Sequence, residues 1–519
     1  MKWERWVMVV ALVAGAMVRL PELDLRPMHT DEAVHAVKFG TLLETGTYRY
    51  DKNEYHGPTL NYCTLLPAWL ASETNLMQVT EGTLRVVPVF FGLGLIVLIL
   101  LVWDIGPGPA AVSAIFTAVS PAMVFYSRYY IQETLLVFFA LALIGAAYRF
   151  LLGGRSLWSV VAGICAGLMF ATKETWLISA GAMGIALLAV LVLRRSVVGR
   201  PEIGRYVRGI GLGLLSGTVV AVLFFSSFLT HWEGVRDSLL AYQTYVGRAA
   251  EETRHGHPWY YFLQILMFWK GDHGPVWSEA TIVLFAVIGI ARTFRGKGKT
   301  GAGKDLRIFL GLYACLMLLI LSVIPYKTPW LVLGVLQPLI LLAGYGVSVF
   351  LGWLPQRLKI IGIIAVALLA GHLGWQAYMA NFKYYDDPAN PYVYSHPTDD
   401  VKSIAGVLDE VLRVSPKGLA VQVVFPGDEY WPLPWYLRAL PRVGWWNSVA
   451  EDFVATPVIL ASPDVEPALM QRLYDAPPPG ERPLYVPLFD RPMILRPGKE
   501  IRGYIRLDLH EKILKERSG

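Results

Sequence analysis

Eleven apolar segments divide the first three quarters of this 519-residue chain. A helix needs about 20 predominantly apolar residues to cross the hydrocarbon core of a bilayer, and most of these segments approach that length. The segments are 6–20, 83–103, 109–127, 134–152, 157–171, 175–193, 209–229, 279–291, 308–324, 331–351 and 360–380. The pattern predicts a mainly α-helical, polytopic membrane protein with about 11 transmembrane helices.

Basic residues indicate the orientation of these predicted spans, because Lys and Arg resist translocation and accumulate in short cytoplasmic loops. If Lys2 and Arg5 are cytoplasmic, every later basic cluster is cytoplasmic too. These clusters are Arg149 and Arg155; Arg194, Arg195, Arg200, Arg205 and Arg208; Arg292, Arg295, Lys297, Lys299, Lys304 and Arg307; and Arg357 with Lys359. We therefore predict a multi-pass protein of the cell (inner) membrane, with a cytoplasmic N-terminus and with loops 21–82 and 230–278 outside.

Composition agrees with a membrane protein, since 55% of the residues are hydrophobic and only 17% are charged. The cytoplasmic loops account for the net charge of +6, so this charge does not suggest a nucleic-acid partner. The cysteines Cys63, Cys165 and Cys315 are scattered in apolar surroundings. Their spacing suggests neither a disulfide framework nor a thiolate metal site.

The composition changes once, near residue 381, where turn-rich sequence replaces the apolar spans. We predict a transmembrane domain over 1–380 and an extracytoplasmic α/β domain over 381–519, which is long enough to bury a core of its own. The predicted elements of the second domain are a helix over 404–412 with N-cap candidates Thr398, Asp399 and Asp400, a strand over 419–425, a strand over 458–461, a helix near 466–474 and a strand over 504–509.

The first outside loop carries two adjacent carboxylates in the string His29-Thr30-Asp31-Glu32. Two neighbouring carboxylates are costly to desolvate together unless a cation or an acceptor hydroxyl is close by. A plainer interpretation is a solvated N-cap in which Thr30 or Asp31 starts a helix that continues through Val34 and Val37.

Other polar motifs lie at span ends on the same predicted side of the membrane. They are His56-Gly57-Pro58, Ser120-Pro121, Tyr126-Ser127-Arg128 with Glu133, Lys173-Glu174, and Tyr326-Lys327. Each alone could be an interface anchor, because Lys and Arg snorkel and Tyr favours the headgroup zone. A charge at the bilayer centre costs about 2.5–3.5 kcal/mol, however, so a pair such as Lys173-Glu174 between two spans predicts a polar partner or cavity. Together the motifs predict an extracytoplasmic cleft for an anionic headgroup.

At these residues the chain resembles the GT-C superfamily of polytopic glycosyltransferases, especially its protein O-mannosyltransferase-like and aminoarabinose-transferase-like members. The resemblance is carried by Asp31, Glu32, Ser120, Pro121, Tyr126, Ser127, Arg128, Glu133, Lys173 and Glu174. The strings HTDEAVHAVKFG and PYKTPW look like a little-characterised, flippase-associated branch. This chain has Gly57-Pro58 where many relatives have Pro-Pro.

The resemblance implies a hexosyltransferase, mannosyltransferase-like, that moves a sugar from a polyprenyl-phosphate donor to an acceptor outside the membrane, with inversion. The acceptor is a protein, a lipid or a glycan, and membrane lipid surrounds the enzyme. Asp31 is the candidate general base, a role that typically contributes ~10²–10⁴-fold, with Glu32 as its helper. Arg128 is the first candidate to grip the leaving phosphate, followed by Lys173 and Lys327. This interpretation requires Asp31 and Arg128 to face a shared pocket.

Four further residues are candidates for substrate binding. Glu133 and Glu174 could orient the cations, and His56 and Tyr326 complete the set. Members of the superfamily differ in their use of a divalent metal ion, and the sequence leaves metal dependence open. The candidate metal ligands are Asp31, Glu32 and Glu133.

Two other classes of function stay open from the sequence. A lipid-linked sugar flippase or transporter would carry ionisable groups along a path through the membrane, whereas here they gather at one face. A non-catalytic scaffold for envelope assembly would use the C-terminal domain for contacts and would tolerate the loss of Asp31.

Overall fold

A computed structural model describes residues 2–53, 56–193, 203–250, 256–295, 301–415, 419–451, 453–478, 480 and 482–518. Five cations of the predicted cytoplasmic loops lie outside these residues: Arg194, Arg195, Arg200, Lys297 and Lys299. The chain forms two compact units. The first comprises Met1–Leu23, Thr41–Ser72 and Thr80–Tyr394, and the second comprises Asp24–Gly40, Glu73–Val79 and Ser395–Gly519. Two pieces of the first predicted outside loop thus fold with the C-terminal residues.

Helices make up nearly all of the first unit, and one helix, α2, continues into it from the second. The helices to residue 382 are α1 (Lys2–Arg19), α2 (Thr30–Thr45), α3 (Thr59–Leu70), α4 (Glu81–Leu98), α5 (Pro107–Val119), α6 (Pro121–Ser127), α7 (Glu133–Gly153), α8 (Ser156–Phe170), α9 (Trp176–Leu193), α10 (Ile203–Phe225), α11 (Glu233–Ala250), α12 (Tyr261–Met267), α13 (Ala280–Arg295), α14 (Ala302–Val323), α15 (Val332–Trp353) and α16 (Lys359–Phe382). A two-residue hairpin, β1 (Trp269–Lys270) with β2 (Val276–Trp277), separates α12 from α13.

Each of the eleven predicted spans coincides with a helix, or with the bent pair α5 and α6. Within the described part of the chain, seven helices are long and apolar enough to cross a membrane, or eight if α5 and α6, which meet at 58°, form one broken span. The helix α1 carries several charged residues, and α8 and α13 have only 15 and 16 residues. The protein is therefore a multi-pass membrane protein, while the number eleven stays a prediction.

Glycines allow neighbouring helices of the first unit to approach closely. A Cβ atom on Gly163 of α8 would lie 2.0 Å from the carbonyl oxygen of Gly213 in α10. A Cβ atom on Gly346 of α15 would lie 1.8 Å from the carbonyl oxygen of Phe285 in α13. Such contacts are typical of membrane helices, because lipid supplies no hydrophobic drive for helix association and close packing must supply the attraction.

The second unit contains a mixed β-sheet with helices, as an α/β domain requires. Its elements beyond residue 395 are α17 (Asp400–Val414), β3 (Val421–Val424), α18 (Leu433–Tyr436), β4 (Val443–Trp446), β5 (Val458–Ala461), α19 (Glu466–Met470), β6 (Tyr485–Pro487), β7 (Met493–Arg496), β8 (Lys499–Arg506) and α20 (Leu507–Ser518). The strand order is β4-β3-β5-β8-β6, and β7 also pairs with β8. Strand β3 is parallel to β4 and β5, whereas β8 is antiparallel to its neighbours.

The predicted fold class is confirmed, with one error in the C-terminal elements. The apolar run 504–509 was expected to be a strand, but β8 ends at Arg506 and α20 begins at Leu507. The apolar residues continue without a break from β8 into α20, because Leu509 and Ile513 of α20 join the same core as Ile505 of β8. The run therefore gives no sign of where the strand ends. The four residues of β3 are all buried, since alternate side chains face two different cores on the two sides of the sheet.

Candidate active site

A buried ion pair joins the start of α7 to the turn between α8 and α9. The ammonium of Lys173 donates to the carboxylate of Glu133, the first residue of α7, and both side chains are more than 90% buried. The turn holds Lys173 in place through its backbone N–H, which donates to the carbonyl of Met169. Two desolvated charges of this kind tolerate each other only as a pair, because each one alone would carry a large desolvation cost.

The neighbouring residue, Glu174, has a separate set of partners. Its carboxylate accepts a hydrogen bond from the Tyr50 hydroxyl at 3.0 Å and lies 2.7 Å from the His56 Nδ1 atom. The two predicted residues His56 and Glu174 are therefore in contact, although 118 positions separate them.

A glycine explains how His56 reaches Glu174. A Cβ atom on Gly57 would lie 2.2 Å from the carbonyl oxygen of Ala171, so a larger residue there would push the turn away. The same carbonyl accepts hydrogen bonds from the Thr59 N–H at 3.1 Å and from the Thr59 hydroxyl at 2.7 Å. Gly57-Pro58 thus coincides with a close backbone contact beside the turn that carries Lys173 and Glu174.

A partly open apolar cavity lies between α7, α9, α14 and α15. Its lining is dominated by aliphatic side chains, with Tyr313 and Trp330 as aromatic members. The polar members of the lining are Glu133, Thr175, Ser179 and Gln337. Lys173 does not line the cavity itself, but its partner Glu133 does, so the ion pair borders the cavity.

Arg128 caps the end of a helix in this structure. Its guanidinium donates to the carbonyls of Pro21 at 2.7 Å and Glu22 at 2.9 Å, and more weakly to those of Val18 and Arg19, just after and within the last turn of α1. The same guanidinium lies 4.5 Å from the centre of the Phe382 ring. A cation at a helix C-terminus satisfies carbonyls that have no partner in the helix. The role of Arg128 as a phosphate ligand stays a prediction.

Arg19 forms the reciprocal contact and was missed from the sequence. It is fully buried at the end of α1, where it donates to the carbonyls of Thr117 and Ala118, both at 2.8 Å, and to the Ser127 hydroxyl at 3.1 Å. Arg19 thus caps α5 while Arg128 caps α1. The available signal was a basic residue at the end of an apolar span.

Lys327 and Tyr326 hold two loops together. The Lys327 ammonium donates to the carbonyls of His257, at 3.1 Å, and of Ile324, while Tyr326 forms an antiparallel bridge with Gly256. Burial lowers the pKa of Lys327, because desolvation disfavours its charged form. Trp330, three residues further on, lines the apolar cavity.

Asp31 and Glu32 belong to the second unit, in the first turn of α2. Glu32 is fully buried, lies 3.6 Å from the Arg26 guanidinium and accepts a hydrogen bond from the His29 N–H at 3.1 Å. The Asp31 side chain is 43% exposed, and its backbone N–H donates to His29 Nδ1 at 3.1 Å. The helix α2 starts at Thr30, one of the two first residues that the sequence suggested. Asp31 and Glu32 thus lie in different environments despite being adjacent.

The proposed metal ligands do not form a metal site in the described residues. No group of three or more His, Cys, Asp or Glu side chains there lies close enough together to hold an ion. Glu32 is already balanced by Arg26, and Glu133 by Lys173. We therefore derive no step through a metal, and metal dependence stays a prediction.

Glu279 is a second buried residue that the sequence analysis missed. Its carboxylate accepts hydrogen bonds from the Ser120 hydroxyl at 2.8 Å and from the Ala122 N–H at 2.9 Å, where α6 begins after the bend. A carboxylate at a helix N-terminus satisfies unpaired N–H groups. The single acidic residue at the start of an otherwise apolar segment was the available signal.

The fold is similar to that of solved membrane glycosyltransferases. ArnT from Cupriavidus metallidurans matches in the apo state with a TM-score of 0.61 and 15% identity, over 96% of this chain and 97% of that chain. The structure of ArnT bound to undecaprenyl phosphate matches with a TM-score of 0.59 and 14% identity, over 96% and 98%. The apo oligosaccharyltransferase of Archaeoglobus fulgidus matches with a TM-score of 0.54 and 13% identity, over 85% of this chain but 64% of that one.

No protein-family model and no curated protein sequence matches this chain. The structural likeness nevertheless shows that the chain has the GT-C fold, as its motifs suggested.

Proposed function

We propose that this protein is a glycosyltransferase of the inner membrane. It transfers a sugar, a hexose such as mannose, from a polyprenyl-phosphate donor to a protein, lipid or glycan acceptor on the extracytoplasmic face, with inversion. The observation that carries the proposal is the apolar cavity that is lined by Glu133, the buried partner of Lys173. The likeness to ArnT, one structure of which is bound to undecaprenyl phosphate, supports the donor class.

The cavity is suited to part of the donor's prenyl chain. A prenyl chain would enter this cavity from lipid rather than from water, so close packing against the aliphatic side chains of α7, α9, α14 and α15 would favour its binding. The cavity holds few polar groups, so it discriminates by apolar character and length rather than by hydrogen bonding. The donor's charged end is the part that needs specific partners.

Lys173 is the cation best placed to contact the donor phosphate. Its ammonium pairs with Glu133, which lines the cavity. When the glycosidic bond breaks, the phosphate gains negative charge, and a fixed cation in a poorly hydrated cleft stabilises that charge more than an exposed one would. Glu133 holds Lys173 in position, and Glu174 holds His56 and Tyr50 beside it. Arg128, Lys327 and Tyr326 remain further candidates for donor binding.

Asp31 is the proposed general base. An acceptor hydroxyl attacks the anomeric carbon, the bond from that carbon to the phosphate oxygen breaks, and the hydroxyl proton passes to the Asp31 carboxylate. Its partial exposure makes this carboxylate accessible to an acceptor. Glu32 is buried against Arg26, which supports a helper role in positioning rather than in proton transfer.

The test is donor consumption by the purified full chain in liposomes. Polyprenyl-phosphate sugars that differ in the hexose are supplied together with envelope membranes as the source of acceptor, and released polyprenyl phosphate is measured by mass spectrometry. We expect Asp31→Asn to slow transfer by about 100-fold or more. Asp24→Asn is the matched control, because Asp24 is an exposed carboxylate of the same segment.

Unaltered transfer by the Asp31→Asn variant would remove the base from the proposal. If the native protein consumes none of the donors, a lipid-linked sugar flippase or a non-catalytic scaffold becomes the better explanation.

A further inference from the structure

The segment that carries Asp31 is folded into the C-terminal part of the chain. Residues Asp24–Gly40 belong to the same compact unit as Ser395–Gly519. The Lys402 ammonium donates to the carbonyls of Asp24, at 3.1 Å, and Leu25, at 2.6 Å. Further along the segment, the Met28 N–H donates to the Tyr436 hydroxyl at 2.8 Å. Side chains from two different helices of the C-terminal part therefore hold the backbone leading to Asp31.

Arg496 makes the contact nearest to Asp31. It ends strand β7, and the turn to β8 is only two residues long, with Gly498 at φ +74°. Its guanidinium donates to the Thr30 hydroxyl at 3.2 Å and to the Glu429 carbonyl at 3.4 Å. One planar group on a hairpin thus links the residue preceding Asp31 to a second loop of the same unit. Arginine suits this task, because its rigid fork donates in two directions at once.

His29 links the C-terminal part to the backbone of Asp31. The His29 ring lies 4.9 Å from the ring of the buried His396, measured between centroids. The same His29 accepts a hydrogen bond from the Asp31 N–H and donates its own N–H to Glu32. Both residues that precede Asp31 therefore contact the C-terminal part: His29 packs near His396, and Thr30 accepts a hydrogen bond from Arg496.

We propose that the C-terminal α/β part positions the Asp31 carboxylate for proton transfer, with Arg496 as the main positioning residue. The proposal rests on the proposed function, in which Asp31 is the general base. A general base must lie within hydrogen-bonding distance of the proton that it takes, and a displacement of about 1 Å can cost 10²-fold in rate. Arg496 touches neither substrate in this proposal and acts through Thr30.

The test compares Arg496→Ala, Arg496→Lys and the control Arg506→Ala in the full chain. Arg506 is another arginine of the same unit, engaged with Asp508 rather than with the Asp31 segment. We expect Arg496→Ala to lower kcat about 10-fold with donor KM unchanged, and Arg496→Lys to restore part of kcat, because a positioning defect affects the chemical step and not donor binding. Tyr436→Phe, which removes a single hydroxyl, should lower kcat in the same way and serves if Arg496→Ala does not fold.

Hydrogen exchange gives a readout that needs no activity. Amides 28–36 should exchange about 10-fold faster in Arg496→Ala than in Arg506→Ala, because local opening follows the loss of local restraints. Equal exchange, or equal kcat in these two variants, overturns the proposal. If Arg496→Ala exchanges faster but the native protein transfers no sugar, the proposed function is overturned. In that case Arg496 still restrains the segment, but the restraint has no catalytic role.

Discussion

The two units of this protein use charge in different ways. In the first, two of the predicted site residues at helix ends are buried in side-chain pairs, as Lys173 is with Glu133 and Glu174 is with His56. In the second, Asp31 is substantially exposed, and ion pairs such as Arg491–Asp400 lie near the surface. The difference shows that burial, as well as residue type, separates the predicted site residues. A buried pair must be disturbed by a substrate, whereas an accessible carboxylate can accept a proton directly.

The largest expected effect comes from breaking the buried pair. Lys173→Met should lower the free energy of unfolding by about 3–5 kcal/mol, because Glu133 is left as a buried charge without its cation. Thermal unfolding in detergent, followed by intrinsic fluorescence, measures this.

A double variant separates stability from binding. Adding Glu133→Gln to Lys173→Met removes both charges and should recover most of the lost stability, yet it should not restore affinity for polyprenyl phosphate. Native-like affinity in the double variant would mean that Lys173 does not contact the phosphate.

The next effect tests which role Arg128 has. Arg128→Lys should lower the free energy of unfolding by about 2 kcal/mol, because the carbonyls of Pro21 and Glu22 are bonded by two separate nitrogens of the planar guanidinium, which a single ammonium nitrogen does not reproduce. Arg19→Lys should cost a similar amount, since it removes the reciprocal cap. If instead donor KM rises tenfold in Arg128→Lys while the unfolding temperature stays native, the guanidinium binds phosphate and the cap is secondary.

The cavity can be tested by filling it. Ala140→Phe, on α7, should raise KM about tenfold for a long-chain donor, equivalent to ~1.4 kcal/mol, because the ring occupies space needed by the prenyl chain. For a donor with a very short prenyl chain, KM should be the same in Ala140→Phe as in the native protein. Leu152→Phe on the exposed face of the same helix is the control. The same rise in KM for short and long donors would argue against the cavity as the chain site.

The smallest effect comes from the exposed pair of the second unit. The Arg491 guanidinium donates to both oxygens of Asp400, at 2.9 and 2.6 Å, and thereby holds the pKa of Asp400 below its ordinary value of 3.8. A carboxyl that is more acidic in the folded than in the unfolded state stabilises the fold above its unfolded pKa. That stabilisation is lost as the pH falls through the folded pKa.

Asp400→Asn should therefore lower the unfolding temperature at pH 7 and have little effect near pH 2. The expected loss is at most about 1 kcal/mol, because solvent screens an exposed pair. Asp409→Asn on the same helix controls for a general change in charge, and a loss that is equal at both pH values would contradict the linkage.

The sequence predicted the helices of the predicted membrane spans and about half of the elements of the α/β part, because apolar periodicity is local. It also identified His56, Lys173 and Glu174 as candidates, since ionisable groups at span ends are costly. It gave no sign that Arg19 and Glu279 cap neighbouring helices. A single charged residue at the end of a span is common and does not by itself indicate a buried partner. The sequence also gave no sign of the apolar cavity, since aliphatic side chains that line a cavity and those that face lipid look alike in a sequence.

By itself, the sequence determined that this chain crosses a membrane several times and which helix ends bear ionisable groups, since both follow from the order of apolar and charged residues. Only the tertiary structure decided which groups pair. The partners Lys173 and Glu133 are 40 positions apart and those of Arg128 more than 100, and such contacts depend on how helices pack. For the same reason, only the structure revealed that the segment of Asp31 folds with the far end of the chain.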